Sequence, residues 1–143
     1  MAKHRIEIDH ANRLNRVRVL DQQELHETIA MFRALFAMPE FNPEYGTLHD
    51  VTGTSRHHID PATLKQMNAF FAAEDPRTGP VAVVLGDSNG ERYFGRYIEA
   101  RREADGLTKI RDLRTFSNAE EAETWLKVHL RTTAGNRCNG TTS

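Results

Sequence analysis

Apolar and polar residues alternate from the start of the chain. Arg5-Ile6-Glu7-Ile8-Asp9 and the stretch Leu14 to Leu20 both repeat with a period of two, and polar His10-Ala11-Asn12 between them reads as a hairpin connection. Val17 and Val19 take one face and Arg18 the other, so the hairpin has one wet face and belongs at a sheet edge. The period then changes. After Asp21, read as an N-cap, Leu25, Ile29, Phe32, Leu35 and Phe36 recur at three- and four-residue spacing and predict an amphipathic helix that stops before Pro39. A turn follows at Asn42-Pro43-Glu44-Tyr45-Gly46, and Leu48 and Val51 then supply the apolar positions of a strand. Asp60 caps the next helix, Pro61 takes its first position, and Leu64, Met67 and Phe71 form its buried stripe up to Asp75-Pro76.

Val81 to Leu85 is a continuous apolar run ending at Gly86, the pattern of a strand buried on both faces. From Asn89 or Gly90 a helix turns Tyr93, Phe94, Tyr97 and Ile98 inward and Arg92, Arg96, Arg101 and Arg102 mostly outward. Gly95 in its interior costs about 1 kcal/mol relative to Ala, which implies close backbone packing there. Leu107 to Arg114 reads as a last strand, Ser117 and Glu120 as a capping box, and Ala122, Trp125, Leu126 and His129 or Leu130 as one face of a final helix. Residues 132–143 lack periodicity and read as a disordered tail after a single domain over 1–131. Helices alternating with strands imply an α/β fold: one mixed, largely parallel sheet with an N-terminal antiparallel hairpin and helices packed on its faces.

Composition narrows the partners. The 143 residues suit one domain, and 19 Lys plus Arg against 20 Asp plus Glu give no excess charge that would demand nucleic acid or an anionic membrane. The N-terminus goes straight into charged alternation and no segment approaches a membrane span, so a cytoplasmic location is expected. Cys138 alone can form neither an intramolecular disulfide nor a cysteine metal site. His49, His57, His58 and Asp60 come nearest to a metal cluster, but no HExxH-type spacing sets two ligands on one face and Asp60 is needed as a cap. No metal or cofactor is therefore expected. Gly86-Asp87-Ser88-Asn89-Gly90 lacks the phosphate-binding lysine and the GxGxxG spacing, and reads as a plain turn. Without a GxSxG pattern at Ser55 or Ser88, no nucleophile is evident, and the protein reads as a non-enzyme.

The ordered set Arg5–Val19 (RIEIDHANRLNRVRV), LHDVTG, VAVVLG, YFGRYIEA and the closing Phe116-x(4)-Glu121-Ala122-x-x-Trp125-Leu126 resembles the SpoIIAA-like domain family over about residues 4 to 130. The resemblance implies a fold related to the STAS domains of anti-sigma-factor antagonists and to the CRAL-TRIO lipid carriers. It also implies a partner-binding face at the start of the helix after LHDVTG. There the antagonists carry an Asp-Ser pair whose Ser is phosphorylated, and the match places Asp60 at the Asp and Pro61 at the Ser. Proline has no hydroxyl, so the usual switch is missing. Thr52, Thr54 and Ser55 remain the nearby acceptors.

The expected function is thus a non-catalytic regulatory domain that recognises a protein partner through the loop and helix start at Thr52–Pro61. Asp50, Thr52, Thr54, Ser55, His57, His58 and Asp60 are its candidate binding residues. The alternative is a carrier of a small apolar or lipid-like ligand, suggested by Met31, Phe32, Phe36, Phe70, Phe71, Tyr93 and Tyr97. A homodimer is compatible with either.

Overall fold

The computed structural model describes residues 3–52 and 61–141, with backbone only at 89 and 132–141. Five strands form one sheet in chain order: β1 (His4–Asp9), β2 (Leu14–Val19), β3 (Gly46–Asp50), β4 (Val81–Val84) and β5 (Leu113–Phe116). β1 pairs antiparallel with β2, and every later pair is parallel. The helices are α1 (Leu25–Ala37), α2 (Pro61–Glu74), α3 (Asn89–Ala104) and α4 (Ala119–Thr141). This is the α/β architecture expected from the period changes, with the hairpin at the edge. The residues read as a tail enter only as backbone of α4.

Because β2, β3, β4 and β5 are laid down in one direction, right-handed crossovers place α1, α2 and α3 on the same face of the sheet. α4 covers the other face, where Leu14, Leu48, Ala82 and Val84 meet Ala122, Leu126 and Leu130 in a wholly apolar cluster. On the three-helix face, Val17 and Val19 pack against Met31, Phe32 and Leu35, and Val81, Val83 and Leu85 against Phe94 and Ile98. β4 is buried at every position between β3 and β5, as its unbroken apolar run requires. Strand order never reverses within the parallel part, so the sheet has no switch-point crevice of the usual α/β kind.

Local signals moved in four places. The N-cap of α1 is Glu24, locked in a capping box with Glu27, while the Asp21 carboxylate accepts the Gln22 amide. Leu107–Lys109 forms a 3-10 turn and the last strand starts later, at Leu113. Asn118 rather than Ser117 accepts the Glu121 amide at the start of α4, at 2.9 Å. Tyr93, expected to face inward, is 75% exposed.

Gly95 does mark a close approach. A Cβ there would meet Thr115 Oγ1 at 2.6 Å and Leu85 Cδ1 at 3.2 Å, so α3 lies on β4 and β5 at glycine distance. Gly95→Ala would gain about 1 kcal/mol of helix propensity and lose about 1–3 kcal/mol to overpacking. A net loss of stability in urea unfolding is expected, whereas a stabilised variant would contradict this packing.

Candidate functional site

At the carboxyl end of β3 the Asp50 carboxylate accepts both the Thr52 amide, at 2.9 Å, and the Thr52 hydroxyl, at 2.6 Å. Both residues are thereby committed to a local turn. Thr54, Ser55, His57, His58 and Asp60 lie outside the described residues. His49, one residue before Asp50, faces the other way from Leu48, into the helical layer, where the Phe32 ring meets it edge-on at 5.3 Å. Among the described residues no group of His, Cys, Asp and Glu could hold a metal ion.

Directly inside this turn, between the sheet and α1, α2 and α3, lies a cavity of about 180 Å³. Its floor is the three-helix face of the sheet, with His49, Val51, Val81, Val83 and Leu85. Its roof is Leu64, Met67 and Phe71 from α2, and Phe94 and Ile98 from α3 close one side. The stripe Leu64, Met67 and Phe71 thus lines the cavity, with Leu64 buried, Met67 and Phe71 half-buried and Phe71 packed on the Phe32 cluster. The walls are mostly apolar, but one end carries Arg77, Arg102 and Arg111.

These arginines are 3%, 3% and 4% exposed. A charge at such a place must be compensated by nearby groups, because desolvation costs several kcal/mol per ion. Asp75, whose side chain is fully buried, supplies the compensation. Arg77 grips it as a fork, Nε to Oδ1 at 2.9 Å and Nη2 to Oδ2 at 2.6 Å, and Arg111 Nη1 approaches Oδ2 at 3.3 Å. The Arg77 guanidinium also lies over the rings of Phe32, Phe36 and Phe71, 5.1, 5.4 and 5.6 Å from their centroids. Phe32, Phe36 and Phe71 thus form an aromatic cage for a cation as well as core.

Carbonyl oxygens join the arginines to one another. Arg111 Nε donates to the Arg77 carbonyl at 2.9 Å, and Arg102 Nη2 to the Arg111 carbonyl at 3.2 Å. Arg102 has no carboxylate partner among the described residues, and burial, aided by the charges of Arg111 and Arg77, draws its pKa down to about 10. Arg77 Nη1, Arg102 Nε, Arg111 Nη1 and His49 Nε2 are buried and make no hydrogen bond among the described residues. Among the described residues, Arg77 and Arg111 share the Asp75 carboxylate and Arg102 reaches only carbonyl oxygens.

Sequence reasoning placed Arg102 on the outer face of its helix and passed over Asp75, Arg77 and Arg111. A signal existed for the first: Phe94, Ile98 and Arg102 are spaced by four, so an inward Phe94 and Ile98 carry Arg102 with them. Asp75 and Arg77 lie in the segment between α2 and β4, and Arg111 lies just before β5, in the stretch read from the sequence as strand. The glycine turn after β4 is closed by the chain itself: Ser88 and Glu91 form a capping box, and a Cβ on Gly86 (φ +121°) would collide with the Glu91 carboxylate. The position where a phosphate would sit at the start of α3 is occupied by Glu91. No described helix is long and apolar enough to cross a membrane. In comparisons with family models, with curated proteins and with solved structures, nothing matches this chain.

Two outcomes follow from the buried charges. Asp75→Asn leaves the arginines without their anion and should cost about 3 kcal/mol or more in chemical unfolding; a loss below about 1 kcal/mol would mean that the cluster is solvated. His49 keeps some accessible surface along the cavity yet is enclosed by protein, and burial first, then Arg77, pushes its pKa down to about 4 against the weaker pull of Asp50. The folded state therefore resists a proton that the unfolded chain accepts below about pH 6.5, so stability falls as pH drops from about 6.5 to 4. His49→Leu should remove a slope worth roughly 3 kcal/mol over that window. An unchanged pH dependence in the variant would place the slope elsewhere.

Proposed function

We propose that this protein is a non-catalytic binding protein whose ligand is a small molecule with an apolar body, held in the cavity beneath α2. The observation that carries this reading is the cavity itself: about 180 Å³ of space between the sheet and the helices that cover it. An engineered cavity of about 150 Å³ takes up benzene, so the volume suits one ring or a medium-length chain rather than a full-sized lipid. Natural interiors are packed to nearly crystalline density, and an unfilled gap of this size costs stability unless something is gained by keeping it.

The alternative foreseen from the sequence, carriage of a small apolar or lipid-like ligand, is thus favoured over capture of a protein partner. The resemblance to the SpoIIAA-like family is compatible with either, since it implies both a partner-binding face and a relation to lipid carriers. In support of the ligand, Val51 lines the cavity immediately before Thr52, so the turn singled out from the sequence borders the same site. The Asp50 and Thr52 side chains are already bonded to each other.

Native mass spectrometry of freshly purified protein should detect a co-purifying small-molecule adduct. Val83→Phe, which places a ring in the cavity from the central strand, should abolish the adduct while leaving the unfolding midpoint unchanged or raised. A bare chain in every preparation, with no binding of 1-octanol or benzene in calorimetry, would sink the proposal.

A further inference from the structure

The cavity is polarised along its length. Arg77 precedes β4 and Arg111 precedes β5, so the charged end lies at the amino ends of these parallel strands. Val51 and Leu85 follow β3 and β4, and Gln22 and Gln23 follow β2, so the opposite end lies at the carboxyl ends. Between them, Val81 to Leu85 of the floor spans about 13 Å at the usual rise of a strand. A ligand in this space meets cations at one end and hydrocarbon along most of the rest.

Resting on the reading of the cavity as a ligand site, we infer that the ligand is a small monocarboxylate, with its carboxylate between Arg102, Arg111 and Arg77 and its apolar body directed toward Val51 and Leu85. The cluster already displays the chemistry it would use, because Asp75 is a carboxylate held by two of the same arginines. What Asp75 leaves over is Arg77 Nη1 and Arg102 Nε, donors on side chains more than nine-tenths buried, while Arg111 Nη1 lies 3.3 Å from Asp75 Oδ2 without making a hydrogen bond to it. Among the described residues their charge is only partly met, since Arg77 and Arg111 share the buried Asp75 carboxylate and Arg102 donates only to carbonyl oxygens. A second carboxylate brings about four lone-pair sites, which the N–H bonds of these nitrogens can meet. A phosphate monoester brings a third terminal oxygen and up to a second charge, to be desolvated among apolar walls. His49 lines the same cavity, and as a neutral imidazole it adds no competing charge there.

Calorimetric titration of the intact protein at pH 7.5 with sodium octanoate, 1-octanol and octyl phosphate separates the possibilities. Octanoate should bind at least tenfold more tightly than octanol, and octyl phosphate more weakly than octanoate. Arg102→Gln should reduce octanoate affinity about tenfold and leave octanol nearly unchanged. Arg102→Lys should restore only part of the loss, because it keeps the charge without the fork. Should the Arg102 variants not fold, the three-ligand comparison on the wild-type protein decides alone. Equal binding of octanoate and octanol would overturn the carboxylate assignment and leave the cavity reading intact, which is also the result if ordered water merely satisfies the arginines. Tighter binding of octyl phosphate would overturn the head group. No binding of any of the three would remove both readings together.

Discussion

The buried Asp75 carboxylate is the constraint on which the three-helix face depends. It follows α2, and it is held by Arg77, ahead of β4, and by Arg111, ahead of β5. Arg102, near the end of α3, joins through the Arg111 carbonyl. One carboxylate therefore ties together the chain segments that enter two strands and leave two helices. Such an arrangement is a poor source of net stability, since the desolvation of its charges consumes most of their attraction. Its geometry is nonetheless demanding, because any shift of α2 against the strands would leave a charge uncompensated.

The two faces of the sheet illustrate the contrast. Under α4, Leu14, Leu48, Ala82, Val84, Leu126 and their neighbours close a dry cluster with no charged member, and close packing is the whole account of it. Arg16 at its margin simply bridges Asp9 and Glu123 at 2.9 and 2.7 Å. On the opposite face, α2 lies above a cavity and the polar groups are internal. With no reversal of strand order to create a crevice, the cavity lies between the layers instead. The Gly86 turn, the other conventional place, is filled by the chain's own Glu91.

The stretch from Leu48 to Asp50 shows how one strand serves both faces. Leu48 enters the dry cluster, His49 turns toward the Phe32 ring and the cavity, and Asp50 folds back on Thr52. The histidine that looked like a possible metal ligand is instead a neutral wall residue, because burial and the Arg77 charge both oppose its protonation. Arg77, in turn, is cradled by Phe32, Phe36 and Phe71, so the aromatic residues suggestive of an apolar pocket are also what makes a buried cation tolerable.

Period and punctuation alone determined the element order, the edge hairpin, the doubly buried β4 and the close approach at Gly95, because each is written in residues that are neighbours along the chain or one helical turn apart. The inward face of α3 was determined in the same way, and Arg102 belonged to it by its spacing from Phe94 and Ile98. Only the tertiary structure decided that Asp75, Arg77, Arg102 and Arg111 meet. They are brought together from loops and helix ends by the parallel crossovers, and a charge in a loop carries no local mark of whether it will face water or another charge. The cavity has the same origin: Leu64, Met67 and Phe71 define an apolar stripe whether or not the sheet comes up to meet it, and the distance between the layers is a property of the packed whole.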